Sequence, residues 1–176
     1  MHRKQVQCLI VVGLWMLVTT VSVHSEAGKL PSVIKTSVDS VPPTTSKDEL
    51  LNWLKAEKYK AEFIAEPEVH PSSGPHGGNV RTYFNSILTE DLRAGKTRFR
   101  KNAAMVKELY FGGTETVIGY AVMVKVKKKS KQNGKEWLYY ETFDGTNGSV
   151  FYGRGVRLCV DCHQAGTDYL LSPFRP

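Results

Sequence analysis

Three stretches decide the fold: Ala103-Ala-Met-Val-Lys-Glu-Leu-Tyr-Phe111, Val117-Ile-Gly-Tyr-Ala-Val-Met-Val-Lys-Val126 and Glu136-Trp-Leu-Tyr-Tyr-Glu-Thr-Phe143. Each is a short run rich in β-branched and aromatic residues, bounded by glycine-containing or lysine-rich connections, and reads as a strand. Asn133-Gly134 lies between the last two, and that dipeptide is a hairpin signal because both positions tolerate a positive φ. Asn79-Val-Arg-Thr-Tyr-Phe84, just after the Gly/Pro-rich loop Pro71 to Gly78, reads as a further strand. Successive strands joined by short connections make an antiparallel sheet.

Helices are predicted around this sheet. Ser46-Lys-Asp-Glu49 matches a capping box, and Leu50, Trp53 and Leu54 follow at helical spacing, so residues 47–60 read as an amphipathic helix. Thr89-Glu-Asp-Leu-Arg-Ala-Gly95 reads as a short helix closed by its glycine. Asp144-Gly145 and Asn147-Gly148 mark turns, and there is no internal repeat. The expected class is α+β, a mostly antiparallel sheet with a few helices and a C-terminal attachment segment. One domain, 46–176, accommodates it, and 41% hydrophobic residues supply an ordinary core.

The N-terminus has a different character. His2, Arg3 and Lys4 precede the apolar run Leu9 to Val18, and Val23-His24-Ser25 ends in small residues. That is the layout of a secretory signal, so residues 1–25 are expected to be removed on export to the periplasm or beyond. No later segment is apolar enough to span a membrane. Removal lowers the formal net charge of +7 by two and takes Cys8 away, leaving Cys159 and Cys162 of the three cysteines. Residues 26–45, rich in Ser, Thr and Pro, read as a flexible linker.

Cys159-Val160-Asp161-Cys162-His163 is the strongest motif. Two thiols at this spacing can add to the two vinyl groups of a haem, and the adjacent imidazole then sits under the iron as axial ligand. A zinc site wants four ligands, and no second cysteine pair exists. A thioredoxin-like pair belongs after an early strand, not near the C-terminus. The cofactor expected is one covalently attached haem c, with His163 on the iron.

Alternation along Ala104 to Phe111 places Met105, Lys107, Leu109 and Phe111 on one face. An ammonium group among such side chains is costly unless paired or neutralised. A lysine snorkelling from the strand is the alternative.

Val80-Arg81-Thr82, then Val106-Lys107-Glu108-Leu109, Gly119-Tyr120, Trp137, the C-terminal Cys159 to His163 and Thr167-Asp168-Tyr169 to Phe174 together resemble the cytochrome P-460 family and its c′-beta relatives. The resemblance implies a homodimer with a five-coordinate haem, His163 proximal and the distal side open. In hydroxylamine-oxidising members, a lysine at the position of Lys107 is bonded to the haem ring. Those members also meet nitric oxide, whereas the c′-beta relatives bind nitric oxide and carbon monoxide without turnover. Active members carry a distal glutamate as general base. The position assigned to it here is Lys125, with Glu108 and Glu141 as substitutes that do not match the family position.

The resemblance favours an oxidoreductase acting on hydroxylamine or a related small nitrogen species, but leaves the catalytic residues unassigned. The alternatives are a c′-beta-like gas binder or an electron carrier with two axial ligands. The last is disfavoured because no methionine follows His163. Arg81 is expected either to reach the haem as a cofactor-binding residue or to form a surface ion pair. Lys125, Lys127, Lys128, Lys129, Lys131 and Lys135 form a basic ribbon, suited to solvent or to an acidic redox partner. Nucleic acid is not an expected partner of an exported cytochrome. His70 and His76 read as loop histidines rather than ligands, and Trp137, Tyr139 and Tyr140 as core or dimer packing.

Overall fold

Seven strands form one sheet in a computed structural model that describes residues 40–112, 116–129, 133–143, 150–174 and 176. The expected signal segment, most of the expected linker, Lys131 and the turns at Asp144-Gly145 and Asn147-Gly148 lie outside the described residues. The chain runs α1 (Lys47–Lys55), a 3₁₀ turn (Lys58–Ala61), β1 (Ile64–Ala65), β2 (His70–Pro71), β3 (Asn79–Phe84) and α2 (Ser86–Arg93). It continues with β4 (Ala104–Tyr110), β5 (Val117–Lys125), β6 (Trp137–Thr142), β7 (Phe151–Arg154) and α3 (Arg157–His163). The sheet order is β1-β3-β4-β5-β6-β7, with β2 also on β3, and every pairing is antiparallel. The α+β class is as expected. Among the described residues no helix is long and apolar enough to cross a membrane.

Both faces of the sheet are covered. On one face Leu50, Trp53 and Leu54 of α1 meet Tyr83, Val106, Val122, Leu138 and Tyr140. On the other, Leu88 of α2 and Val160 of α3 share a cluster with Phe84, Met105, Met123, Trp137 and Tyr139. Two covered faces explain why β4 and β6 read as almost continuous apolar runs instead of clean alternation.

Element boundaries shifted for identifiable reasons. Ser46 caps α1 by accepting from Glu49 N, as expected, but the helix ends at Lys55. Continuing it would turn Glu57 and Lys58 onto the face of Leu50 and Leu54. Glu57 instead adopts a left-handed conformation, with φ 52°, and the following 3₁₀ turn buries Tyr59. The second helix starts at Ser86, not Thr89, because the side chain of Asn85 accepts from Leu88 N. Gly95 closes it with φ 64°. Lys125 faces Trp137 across the strands, so Asn133-Gly134 lies at the end of a long connection and is not a two-residue turn.

Glu108 anchors the α1 side. It is 0% exposed and accepts hydrogen bonds from Tyr59, Tyr110 and Tyr83, the last at 3.1 Å. Lys60 pairs with it at 3.1 Å. Burial alone would raise its pKa, but the bonds from Tyr110, Tyr59 and Lys60 outweigh that and hold the carboxyl below its usual 4.5. A depressed folded pKa stabilises the fold above the unfolded value, and that stability is lost as the pH falls through the folded one. Acid titration below about pH 4.5 should therefore unfold wild type more steeply than Glu108→Gln. Parallel acid-unfolding curves for the two proteins would remove Glu108 as the acid-sensitive group.

Candidate functional site

Helix α3 places Cys159, Cys162 and His163 at i, i+3 and i+4, which is one face of a helix. Val160 is the buried residue that docks this helix on the sheet. Both cysteines are free of disulfide bonds. They and His163 line a cavity of about 430 Å³ between α3, the sheet and the loop carrying His76. That volume is within the range of small-molecule and cofactor sites.

The sheet supplies the cavity floor. Thr82, Lys107, Ala121, Glu141 and Phe151 stand in one cross-strand row, and Met105, Met123 and Tyr139 stand in the next. The structure therefore brings Lys107 and the C-terminal motif to one cavity. Met105 lies on the same face, but Phe111 falls beyond the strand end and is 71% exposed. Burial lowers the Lys107 pKa, with Glu66 and Glu141 acting against it. Burial thus shifts the balance towards the neutral amine, which is the nucleophilic form.

His163 is oriented by its backbone neighbour. Its Nδ1 lies 2.8 Å from the carbonyl oxygen of Tyr169. A carbonyl only accepts, so Nδ1 carries the proton and Nε2 keeps its lone pair. Such outer hydrogen bonds fix the tautomer of metal-bound imidazoles. Burial also pushes the His163 pKa down, and the Tyr169 carbonyl only partly offsets that. Burial together with Glu141 pushes the Cys159 thiol up to about 11. It is thus held as a thiol, which carries the hydrogen needed for addition to a vinyl group.

Two carboxylates that sequence spacing did not place also face the cavity. Glu141 lies 2.6 Å from Nδ1 of His76. Glu66 accepts from Thr82 N at 2.7 Å and lies 3.1 Å from Nε2 of His70. Glu141 was named from the sequence as a substitute base, but only the register puts it in the Lys107 row. Glu66 and the two histidines sit in short strands and loops with no periodic signal.

Other expectations need correction. Lys125 does not line the cavity: it is 0% exposed and bonded to Asp168 at 2.7 and 2.8 Å, with Nζ 4.9 Å from the Trp137 ring centre. Strand alternation puts it on the cavity side of β5, but beyond Met123, where Asp168 covers it. Lys125→Glu would set a carboxylate against that aspartate and create no base. Glu108 points to the opposite face and is no substitute either. Arg81 does not line the cavity: it stands between Val80 and Thr82, which do, and so points the other way. Its guanidinium donates to the carbonyls of Glu66 and Pro67 and lies over Tyr83.

The cavity lining is mixed: polar groups such as Glu66, His76, Lys107 and Glu141 stand beside apolar Phe143, Leu158 and Leu171, which are 41%, 57% and 47% exposed. Among the described residues no three His, Cys, Asp or Glu side chains converge on a bare ion. Comparison with protein-family models, curated proteins and solved structures gives no match. The likeness to the cytochrome P-460 family rests on the residues themselves.

Proposed function

We propose that this chain is an exported mono-haem c-type cytochrome of the P-460 type, an oxidoreductase for hydroxylamine or a related small nitrogen species. The observation that carries the reading is the convergence of Lys107, Cys159, Cys162 and His163 on one cavity. In this reading the thiols of Cys159 and Cys162 hold one haem c as thioethers and His163 Nε2 binds its iron. When bound, the haem supplies the iron that accepts electrons from the small nitrogen ligand. The chain itself supplies at Lys107 an amine whose pKa burial lowers, and Glu66 and Glu141 as carboxylates on the same cavity. Lys127, Lys128, Lys129, Lys135 and Arg154 border one surface groove, a site suited to an acidic redox partner. A homodimer is the expected assembly.

The displacement of Lys125 from any distal role favours a second reading, a c′-beta-like protein that binds nitric oxide or carbon monoxide without turnover. Mass analysis of a digest separates the two. The oxidoreductase reading expects the Lys107 peptide joined through the haem to the Cys159–Cys162 peptide. It also expects a red-shifted main band in the reduced spectrum, which Lys107→Ala returns to an ordinary c-type position. Free recovery of the Lys107 peptide with an ordinary spectrum would leave the gas-binding reading.

A further inference from the structure

His76 faces His163 across the cavity, and the two imidazoles have their ring centres 6.2 Å apart with planes inclined at 65°. Two metal–nitrogen bonds of about 2.0–2.1 Å, plus about 1.1 Å from nitrogen to ring centre on each side, add to about 6.3 Å. The observed spacing leaves room for one metal between the two imidazoles, and it also matches an edge-to-face ring contact, so the hydrogen bonds have to decide.

The hydrogen bonds agree with a shared metal. His163 uses Nδ1 on the Tyr169 carbonyl, and His76 uses Nδ1 on the Glu141 carboxylate at 2.6 Å. Each ring thus keeps Nε2 for another partner. A carboxylate or carbonyl behind Nδ1 is the usual outer partner of a metal-bound imidazole. His76 and Glu141 side chains are only 16% and 11% exposed, so this pair is built into the site and is not a surface contact. The loop that carries His76 is tied at its ends by Ser72 N donating to Gly78 O at 3.0 Å, with Gly77 and Gly78 at φ 66° and 56°.

We propose that His76 is the second axial ligand of the haem, held in place by Glu141, so that the resting site is six-coordinate and closed. Small ligands then enter only after His76 leaves the iron. The inference rests on the haem reading above and replaces its expected open distal face. Glu141 acts here as a positioning residue through His76.

The experiment uses the matured holoprotein. Ferric wild type should give the low-spin electron paramagnetic resonance and near-infrared magnetic circular dichroism of bis-imidazole ligation. His76→Ala should become high-spin, and added imidazole should return it to low spin. Glu141→Gln should remain six-coordinate but with a shifted low-spin signal. Carbon monoxide should bind reduced His76→Ala about tenfold faster or more, the ratio expected where the open form is about a tenth of the wild-type population or less. A high-spin wild type with covalently bound haem overturns the inference and leaves the haem reading standing. So does a low-spin signal that His76→Ala leaves unchanged, since it assigns the ligand elsewhere. A purified protein without covalent haem overturns the haem reading itself.

Discussion

Wild-type protein purified from a host that matures c-type cytochromes should retain its haem through acidified organic solvent, and Cys159→Ala/Cys162→Ala should retain none. Each thioether uses one thiol, so the single variants keep one bond and the double variant keeps none. The cavity and its histidines persist in the double variant, but axial imidazoles and apolar contacts without a thioether hold a haem only reversibly. Little stable holoprotein should therefore accumulate. Haem staining after denaturing electrophoresis gives the covalent fraction, and the intact mass gives the number of haems, expected to be one. The same mass fixes the mature N-terminus, expected near Glu26. Haem that extracts freely from the wild type would defeat the haem reading, however well the cavity fits.

The second large effect is on stability. Asp168→Ala should destabilise the fold by about 3–5 kcal/mol, because it leaves the ammonium of Lys125 buried without its carboxylate. Both side chains are 0% exposed, and Asp168 also accepts from Phe99 N at 2.8 Å. Replacing both charges, as in Lys125→Met/Asp168→Leu, should recover much of that loss, since well-packed apolar residues often substitute for a buried pair at little cost. Denaturant unfolding of the single and double variants checks this. Additive losses would show that the pair is not the source. Asp168 and Tyr169 both have positive φ, 48° and 71°, in the turn that aims the Tyr169 carbonyl at His163. Asp168→Ala should accordingly also broaden the spectroscopic signature of the haem before it unfolds the chain.

Much of this protein is legible in its residues. The strands over Asn79–Phe84, Ala104–Tyr110, Val117–Lys125 and Trp137–Thr142 follow from short runs of β-branched and aromatic residues between turn signals. The start of α1 follows from its capping serine, and Cys159, Cys162 and His163 share one helical face because their spacing is i, i+3, i+4. These features are local, set by a few neighbouring residues and the period of the backbone. The strand at Phe151–Arg154 was not legible, because Phe-Tyr-Gly-Arg is too short for a pattern.

Partnerships across the fold were not legible either. The sequence marks Lys107 and Lys125 alike as lysines in apolar strands, yet one lines the cavity and the other is neutralised by Asp168. Arg81 matches a family position, but its place between Val80 and Thr82 turns it to the other side of β3. His76 and Glu141, far apart in the chain, meet only because a Gly-rich loop folds over the row that register has laid across five strands. The residues alone determined the strands, the caps and the shared helical face of Cys159, Cys162 and His163, whose causes are short-range. Tertiary structure decided which charges and imidazoles face one another, because burial and register depend on how distant segments pack.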